Sequence, residues 1–205
     1  MAAIAYPTKP AFISVRWGGA WNTQVFTSPI TESIQTLGLT GDRWMGQWTF
    51  PPLKNDALIA EWEAFFMEMQ GRAGRFLARI PFRTKTRGPA PGSPAILGAD
   101  QSGSTVVTNG WTPNVNGILL KGDYISLPNG AEGEAKLLLA DANSDGSGAS
   151  SLSIKPSIRT APTDLAAITV ADVTVEMIQA SDEITWDIDK FGKYRFTLAG
   201  IEAFR

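Results

Sequence analysis

Phe50-Pro51-Pro52-Leu53-Lys54-Asn55-Asp56-Ala57-Leu58-Ile59-Ala60-Glu61-Trp62-Glu63-Ala64-Phe65-Phe66-Met67-Glu68-Met69-Gln70-Gly71-Arg72-Ala73-Gly74-Arg75-Phe76-Leu77-Ala78-Arg79-Ile80-Pro81-Phe82 reads as helix, tight glycine turn, strand. Leu58, Ile59, Trp62, Phe65, Phe66 and Met69 recur at i, i+1, i+4, i+7, i+8 and i+11, one apolar stripe of helical period. Lys54, Glu61, Glu63 and Glu68 take the remaining face. Pro51-Pro52 stops any preceding element, Asn55 or Asp56 is placed to cap the first turn, and Gly71 to close the last. The spacing predicts a scaffold helix over 55–70. After Gly74 the period becomes two, which puts Phe76, Ala78, Ile80 and Phe82 on one strand face and Arg75, Leu77 and Arg79 on the other. Burying the six large helix side chains is worth roughly 10–15 kcal/mol gross, before ordering entropy.

Ala11 to Trp17 reads as a strand, Gly18-Gly19 as a hairpin turn and Trp21 to Phe26 as the return strand. Ser33 to Leu39 and Arg43 to Phe50 read as two more, the second with Trp44, Gly46, Trp48 and Phe50 on one face. Gly88-Pro89-Ala90-Pro91-Gly92-Ser93-Pro94 reads as a linker. Short segments follow between glycine, asparagine and aspartate turns such as Pro128-Asn129-Gly130: Thr105–Val107, Ile118–Leu120, Tyr124–Leu127, Lys136–Leu139 and Ser151–Ile154. They predict a small barrel or sandwich. Val173 to Met177, Ile184 to Ile188 and Tyr194 to Leu198 alternate again and are assigned to the opening sheet. The expected fold class is mainly β with one α-helix: a β-barrel or sandwich host domain, residues 1–92 plus 166–205, carrying an inserted small all-β domain, residues 93–165.

The 205 residues contain neither cysteine nor histidine, so thiolate chemistry, disulfides and the commonest general base and metal ligand are excluded. A formal charge of −2 gives no electrostatic case for nucleic acid. Met1 to Pro10 lacks a basic and an apolar region, and no run approaches spanning length, so neither export by a signal peptide nor membrane insertion is expected.

Asp141-Ala142-Asn143-Ser144-Asp145-Gly146 matches the first half of an EF-hand calcium loop, but Leu152 stands where a bidentate glutamate belongs; an Asx-rich hairpin turn explains the same residues. Arg72, Arg75, Arg79, Arg83, Lys85 and Arg87 form a run of six cations without an acid, and Asp182, Glu183, Asp187 and Asp189 a complementary set. Ion pairing between the two, within or between subunits, is the preferred reading, with pairs of the Arg79/Asp187 type setting register; a solvated face and a nucleic-acid groove are the alternatives. Asp123, Glu132 and Glu134 lie in turns, and nothing in their spacing marks a glycosidase pair. No nucleophile elbow, phosphate loop or zinc-helix motif occurs. No enzyme activity, cofactor or resident metal is expected.

Leu58-Ile59-Ala60-Glu61-Trp62-Glu63-Ala64-Phe65-Phe66 followed by Gly71-Arg72-Ala73-Gly74-Arg75-Phe76 resembles the helix–turn–strand of tail proteins from long-tailed bacteriophages and gene-transfer particles. Gly110-Trp111, Leu120-Lys121-Gly122-Asp123-Tyr124-Ile125, Asp145-Gly146-Ser147-Gly148 and Ile154-Lys155-Pro156-Ser157-Ile158-Arg159 resemble the inserted β-domain of the same proteins. The best fit is the distal tail protein family. That resemblance implies a virion component at the tail tip, made in the bacterial cytoplasm. It also implies a hexameric ring of this chain between the tail tube protein and the tip hub protein, with peripheral fibre or receptor-binding proteins as further partners. A tail-tube subunit is the nearby alternative. A carbohydrate- or cell-surface-binding module with a platform near Trp111 is a second class, and a two-acid cell-wall hydrolase a third.

Overall fold

The computed structural model describes every residue except Met1, Ala2, Ala5, residues 129–132 and Arg205. The chain is mainly β with one α-helix. It divides into two compact units, residues 1–76 with 177–205, and residues 77–176 between them in sequence.

The first unit is led by two long strands, β1 (Ser14–Thr27) and β2 (Ile34–Thr49). Four strands expected from the sequence are therefore two. Gly18-Gly19 does not turn: Gly18 pairs with Met45 and Gly19 with Trp44 in a continuous antiparallel ladder. Gly41-Asp42, between the expected strands Ser33–Leu39 and Arg43–Phe50, does not interrupt the chain's pairing either. The register slips between Ala20 and Asn22, and Gly41, at φ +115°, lies opposite that slip. A glycine there absorbs a bulge that bends the ribbon without stopping it. The real turn is Ser28–Ser33, closed by Ser28 N–H to Ser33 C=O (2.9 Å) and Glu32 N–H to Ser28 C=O (3.0 Å).

Helix α1 (Asp56–Met69) forms as its period predicts, with Asn55 Oδ1 accepting from Ala57 and Leu58 N–H at its start. Ile59, Trp62, Phe65, Phe66 and Met69 are buried; Leu58, at the edge of the stripe, is only half-buried. The left-handed residue that ends the helix is Gln70, with Gly71 also at positive φ. Trp62 anchors the contact with the sheet. Its ring lies 4.5 Å from Phe50 and 4.9 Å from Phe196, and its Nε1–H donates to Lys9 C=O (2.8 Å).

β3 (Phe76–Arg79), β9 (Thr174–Gln179) and β12 (Thr197–Glu202) complete a five-stranded sheet in the order β1-β2-β12-β9-β3. Trp44, Trp48 and Phe50 face its core, and Trp17 stacks on Trp44 at 5.8 Å. Phe82 departs from the expected face. The strand ends at Arg79, the chain turns, and Phe82 sits at φ +56° with 85% of its surface exposed. The expected strand 184–188 is also shortened. Only β10 (Asp187–Ile188) pairs, with β11 (Tyr194–Arg195), as a separate two-stranded ladder, and Ile188 is exposed.

In the second unit, β4 (Gly92–Ile96), β5 (Gly103–Trp111), β6 (Tyr124–Leu127), β7 (Glu134–Leu138) and β8 (Ser150–Ile158) make a sheet in the order β4-β5-β8-β7-β6. Ala167 bridges Ala95 of β4, and Thr169 bridges Ser126 of β6, so one short segment joins the two edges of the sheet. Closure removes the open edges a small sheet would otherwise expose. The interior is aliphatic: Ile96, Val106, Ile118, Leu119, Ile125, Leu152 and Ile154 are wholly or almost wholly buried. The expected linker is structured. Ala90 N–H donates to Ile118 C=O (2.9 Å), and a Cβ on Gly88 would lie 2.5 Å from that same oxygen.

Candidate assembly surface

Beyond Trp44 the ladder β1–β2 leaves the sheet. β12 pairs with β2 only from Met45 to Thr49, and the carboxylate of the buried Glu202 accepts the Trp44 N–H at 2.8 Å where that pairing stops. From Asn22 to Thr27 and from Ile34 to Leu39 the chain is a free-standing two-stranded ribbon, exposed on both faces. Opposed pairs alternate across it. Val25 and Ile34 lie on one face with Thr23, Thr27 and Thr36; Phe26, Leu37 and Leu39 lie on the other with Asn22, Gln24 and Gln35. Trp21 is 75% exposed, Ile34 66% and Phe26 54%, and Ile30 stands at the tip. Glu32 is the one charged residue between Asn22 and Leu39.

An isolated hairpin is marginal in water, and exposed edges are normally protected by lysine, proline or short length. This ribbon has none of those protections along either strand. Its exposed apolar side chains and lack of charge make it the candidate contact surface of this unit. Sequence reading missed it because the glycine pairs broke one ladder into four apparent strands. The available signal was the near absence of charge from Trp17 to Thr40.

The charged residues named from the sequence are mostly engaged within the chain. Arg72 N–H donates to Asp182 Oδ1 (3.0 Å), and its guanidinium donates to Ala180 C=O. Arg79 is paired with Asp172 at 3.7 Å, both exposed, an ion pair of small worth. Asp189 lies 3.9 Å from Arg195 and accepts Phe191 and Lys193 N–H. The Lys193 N–H is the main cause that holds its carboxyl below the usual range, against a smaller upward push from burial. Arg75 is half-buried, with its carbonyl accepting Ile4 N–H at 2.6 Å. Among the described residues Arg83, Lys85, Glu183 and Asp187 form no ion pair.

Asp123 is a buried anchor in the second unit, with the exposed side chain of Arg87 beside it. Asp123, 2% exposed, accepts N–H bonds from Arg87 (2.9 Å), Gly88 (3.0 Å) and Leu120 (2.8 Å), with the Arg87 side chain at 3.5 Å. Burial pushes its pKa up, but those donors and the Arg87 charge outweigh burial and leave it lowered. Glu134 and Lys136 form a second anchor, with Lys136 Nζ 2.6 Å from Glu134 Oε2. Glu132 lies outside the described residues.

The calcium-like loop spends its oxygens on backbone. Asp145 Oδ1 accepts Ser147 N–H (2.8 Å), Ser147 Oγ–H (2.7 Å) and Ala149 N–H (2.9 Å). Asn143 Oδ1 accepts Gly117 N–H, and Asp141 Oδ1 accepts Lys121 N–H, both at 2.7 Å. The Ser147 hydroxyl is the first cause of the lowered Asp145 pKa. That is an Asx turn of a hairpin. Trp111, the residue expected to offer a sugar platform, is 3% exposed and donates Nε1–H to Thr108 Oγ1 (2.8 Å); it is core.

No family model matches the chain, and no curated protein matches it. No helix among the described residues is long and apolar enough to cross a membrane.

Proposed function

We propose that this chain is a structural tail component of a long-tailed phage or gene-transfer particle, a distal tail protein in kind. It closes a hexameric ring with copies of itself between the tail tube and the tip hub, and holds peripheral tip proteins at its rim. Its role is geometric, not catalytic. The observation that carries the reading is the ribbon 22–27/34–39, an uncharged, two-faced, edge-exposed ladder that water does not favour. The resemblance of the helix–turn–strand and of the second unit's motifs supplies the class of particle.

In a ring each ribbon lies against the next subunit, so both faces and at least one edge are covered. Burying the exposed halves of Trp21, Val25, Phe26, Ile34, Leu37 and Leu39 is worth about 1 kcal/mol each, enough to bias assembly strongly. Electron micrographs of the purified protein test this. Rings with a central hole are expected, and a Trp21→Ser/Phe26→Ser/Leu37→Ser variant with unchanged circular dichroism is expected to remain monomeric. A wild-type monomer at high concentration, or rings unaffected by the triple change, overturns the proposal.

A further inference from the structure

A cleft of about 480 Å³ opens in the first unit beside the start of β12. Its cause is local. β9 pairs with β12 only at Gly200, Ile201 and Glu202, with one further bond from Ala180 N–H to Ala199 C=O (2.9 Å). Asp182 is then held against the turn after the helix by Arg72 N–H, and a Cβ on Gly71 would lie 2.9 Å from Asp182 Cα. The chain 181–187 therefore swings off the sheet one strand position too early. In an antiparallel ladder a residue's N–H and C=O point to the same side, and successive residues alternate. Ala199 faces β9, Leu198 faces β2, and so Thr197 presents both backbone groups to the gap, where no described strand pairs with it.

Gln179, 3% exposed, lines this cleft, and its Nε2 has no hydrogen-bond partner. A buried amide donor without an acceptor is an unmet demand. The rim carries Glu183 and Asp187 without ion pairs among the described residues, and Arg195, which leans toward Asp189. Phe50, Phe196 and Leu198 form an apolar floor.

We propose that the cleft receives an extended segment of a different protein, bearing lysine or arginine, as a short added strand. Its backbone pairs with Thr197, one of its carbonyls accepts from Gln179 Nε2, and its cation lies between Glu183 and Asp187. Neither the ribbon nor the cation run of a second copy suits the cleft. Its ribbon has only an acid, Glu32, to offer. The backbone of its cation run is engaged and not available as an added strand: Arg83 lies in a turn closed by its N–H to Ile80 C=O (3.4 Å), while Thr84 C=O accepts Asp172 N–H and Lys85 bridges Ala171. The inference goes beyond ring assembly and does not require it.

The test uses the full-length protein and a fluorescent acetyl-Thr-Lys-Val-Lys-Thr amide peptide. Anisotropy reads affinity, and hydrogen exchange reads the Thr197 amide. Binding with slowed exchange at Thr197 is expected. Weakening by about tenfold is expected for Glu183→Gln/Asp187→Asn, two exposed sites where the amides keep shape and place no cation opposite Arg195, and for the peptide with glutamate in place of lysine. Gln179→Leu, which removes the donor at similar volume, is expected to weaken binding while exchange elsewhere is unchanged. The ribbon triple variant is expected to bind the peptide as wild type does, which separates this site from the ring. No binding by the lysine peptide, equal binding of both peptides, or no protection of Thr197 overturns the proposal.

Discussion

Lys136→Met removes one half of an ion pair that sits inside the second unit. Lys136 is fully buried, and its Nζ lies 2.6 Å from Glu134 Oε2 and donates to Ser157 C=O at 2.8 Å. Methionine fills most of the same volume, so the change tests charge more than packing. What remains is a carboxylate, 4% exposed, that keeps N–H donors from Arg159 (3.2 Å) and Thr160 (3.0 Å) and has lost the charge of Lys136. Breaking a buried pair costs about 3–5 kcal/mol, and the two donors place this case near 3. For a unit of about 100 residues that lowers the melting midpoint by about 12 °C or more. Glu134→Gln/Lys136→Met should recover most of the loss, because a neutral pair carries no burial penalty for charge.

The pH dependence fixes the cause. In the wild type, burial raises the Glu134 pKa, but the Lys136 charge and the hydrogen bonds outweigh burial and leave it lowered. Its stabilisation is therefore complete above the unfolded carboxylate value and disappears as pH falls through the lower folded value. Without Lys136 the leading cause that lowers this pKa is gone, so the folded pKa rises and acidification costs the variant less than the wild type. The gap between the two proteins is then widest near neutrality and narrows below about pH 4. Thermal unfolding across pH, with hydrogen exchange at Val106 and Leu152 reporting on this unit, measures it. A loss under about 1 kcal/mol, or one constant with pH, refutes the reasoning.

Gly46→Ala places a Cβ 2.5 Å from the Trp48 ring, which is 3% exposed and packed against Trp17 and Phe76. A cost of about 1–3 kcal/mol in denaturant unfolding is expected, whereas Gly18→Ala, with nothing within 4 Å of its Cβ, is expected to be neutral or slightly stabilising. Asp123→Asn is expected to flatten the acid-unfolding profile of the second unit. The wild-type carboxylate stabilises above the usual aspartate value and that contribution fades as pH falls through its lowered folded pKa. A profile as steep as the wild type's would assign acid sensitivity to other groups.

Helical and strand periods identified α1 and the face of Trp44–Phe50, each a local pattern with one buried side, and short apolar runs between turns located β5, β6, β7 and β8; β4 was hidden in the proline-rich stretch, and Ile118–Leu120 forms no strand, only a bridge at Leu119. Glycine defeated the same reading. Gly18-Gly19 and Gly41 carry no side chain to show which way they point, and only their partners across the ladder, Met45, Trp44 and the bulge at Ala20, make them strand. Phe82 was misplaced because a period of two cannot tell where a strand ends, and the Ile80–Arg83 turn ends it three residues earlier. Acids and cations were visible as sets, but their pairing was not. Arg79 finds Asp172 and Arg87 finds Asp123 through contacts far apart in the chain, while Asp182 is held by the Arg72 backbone N–H and not by its charge. The ribbon and the cleft belong wholly to tertiary structure, since both are places where one strand outruns its neighbour, and that depends on how far each partner extends.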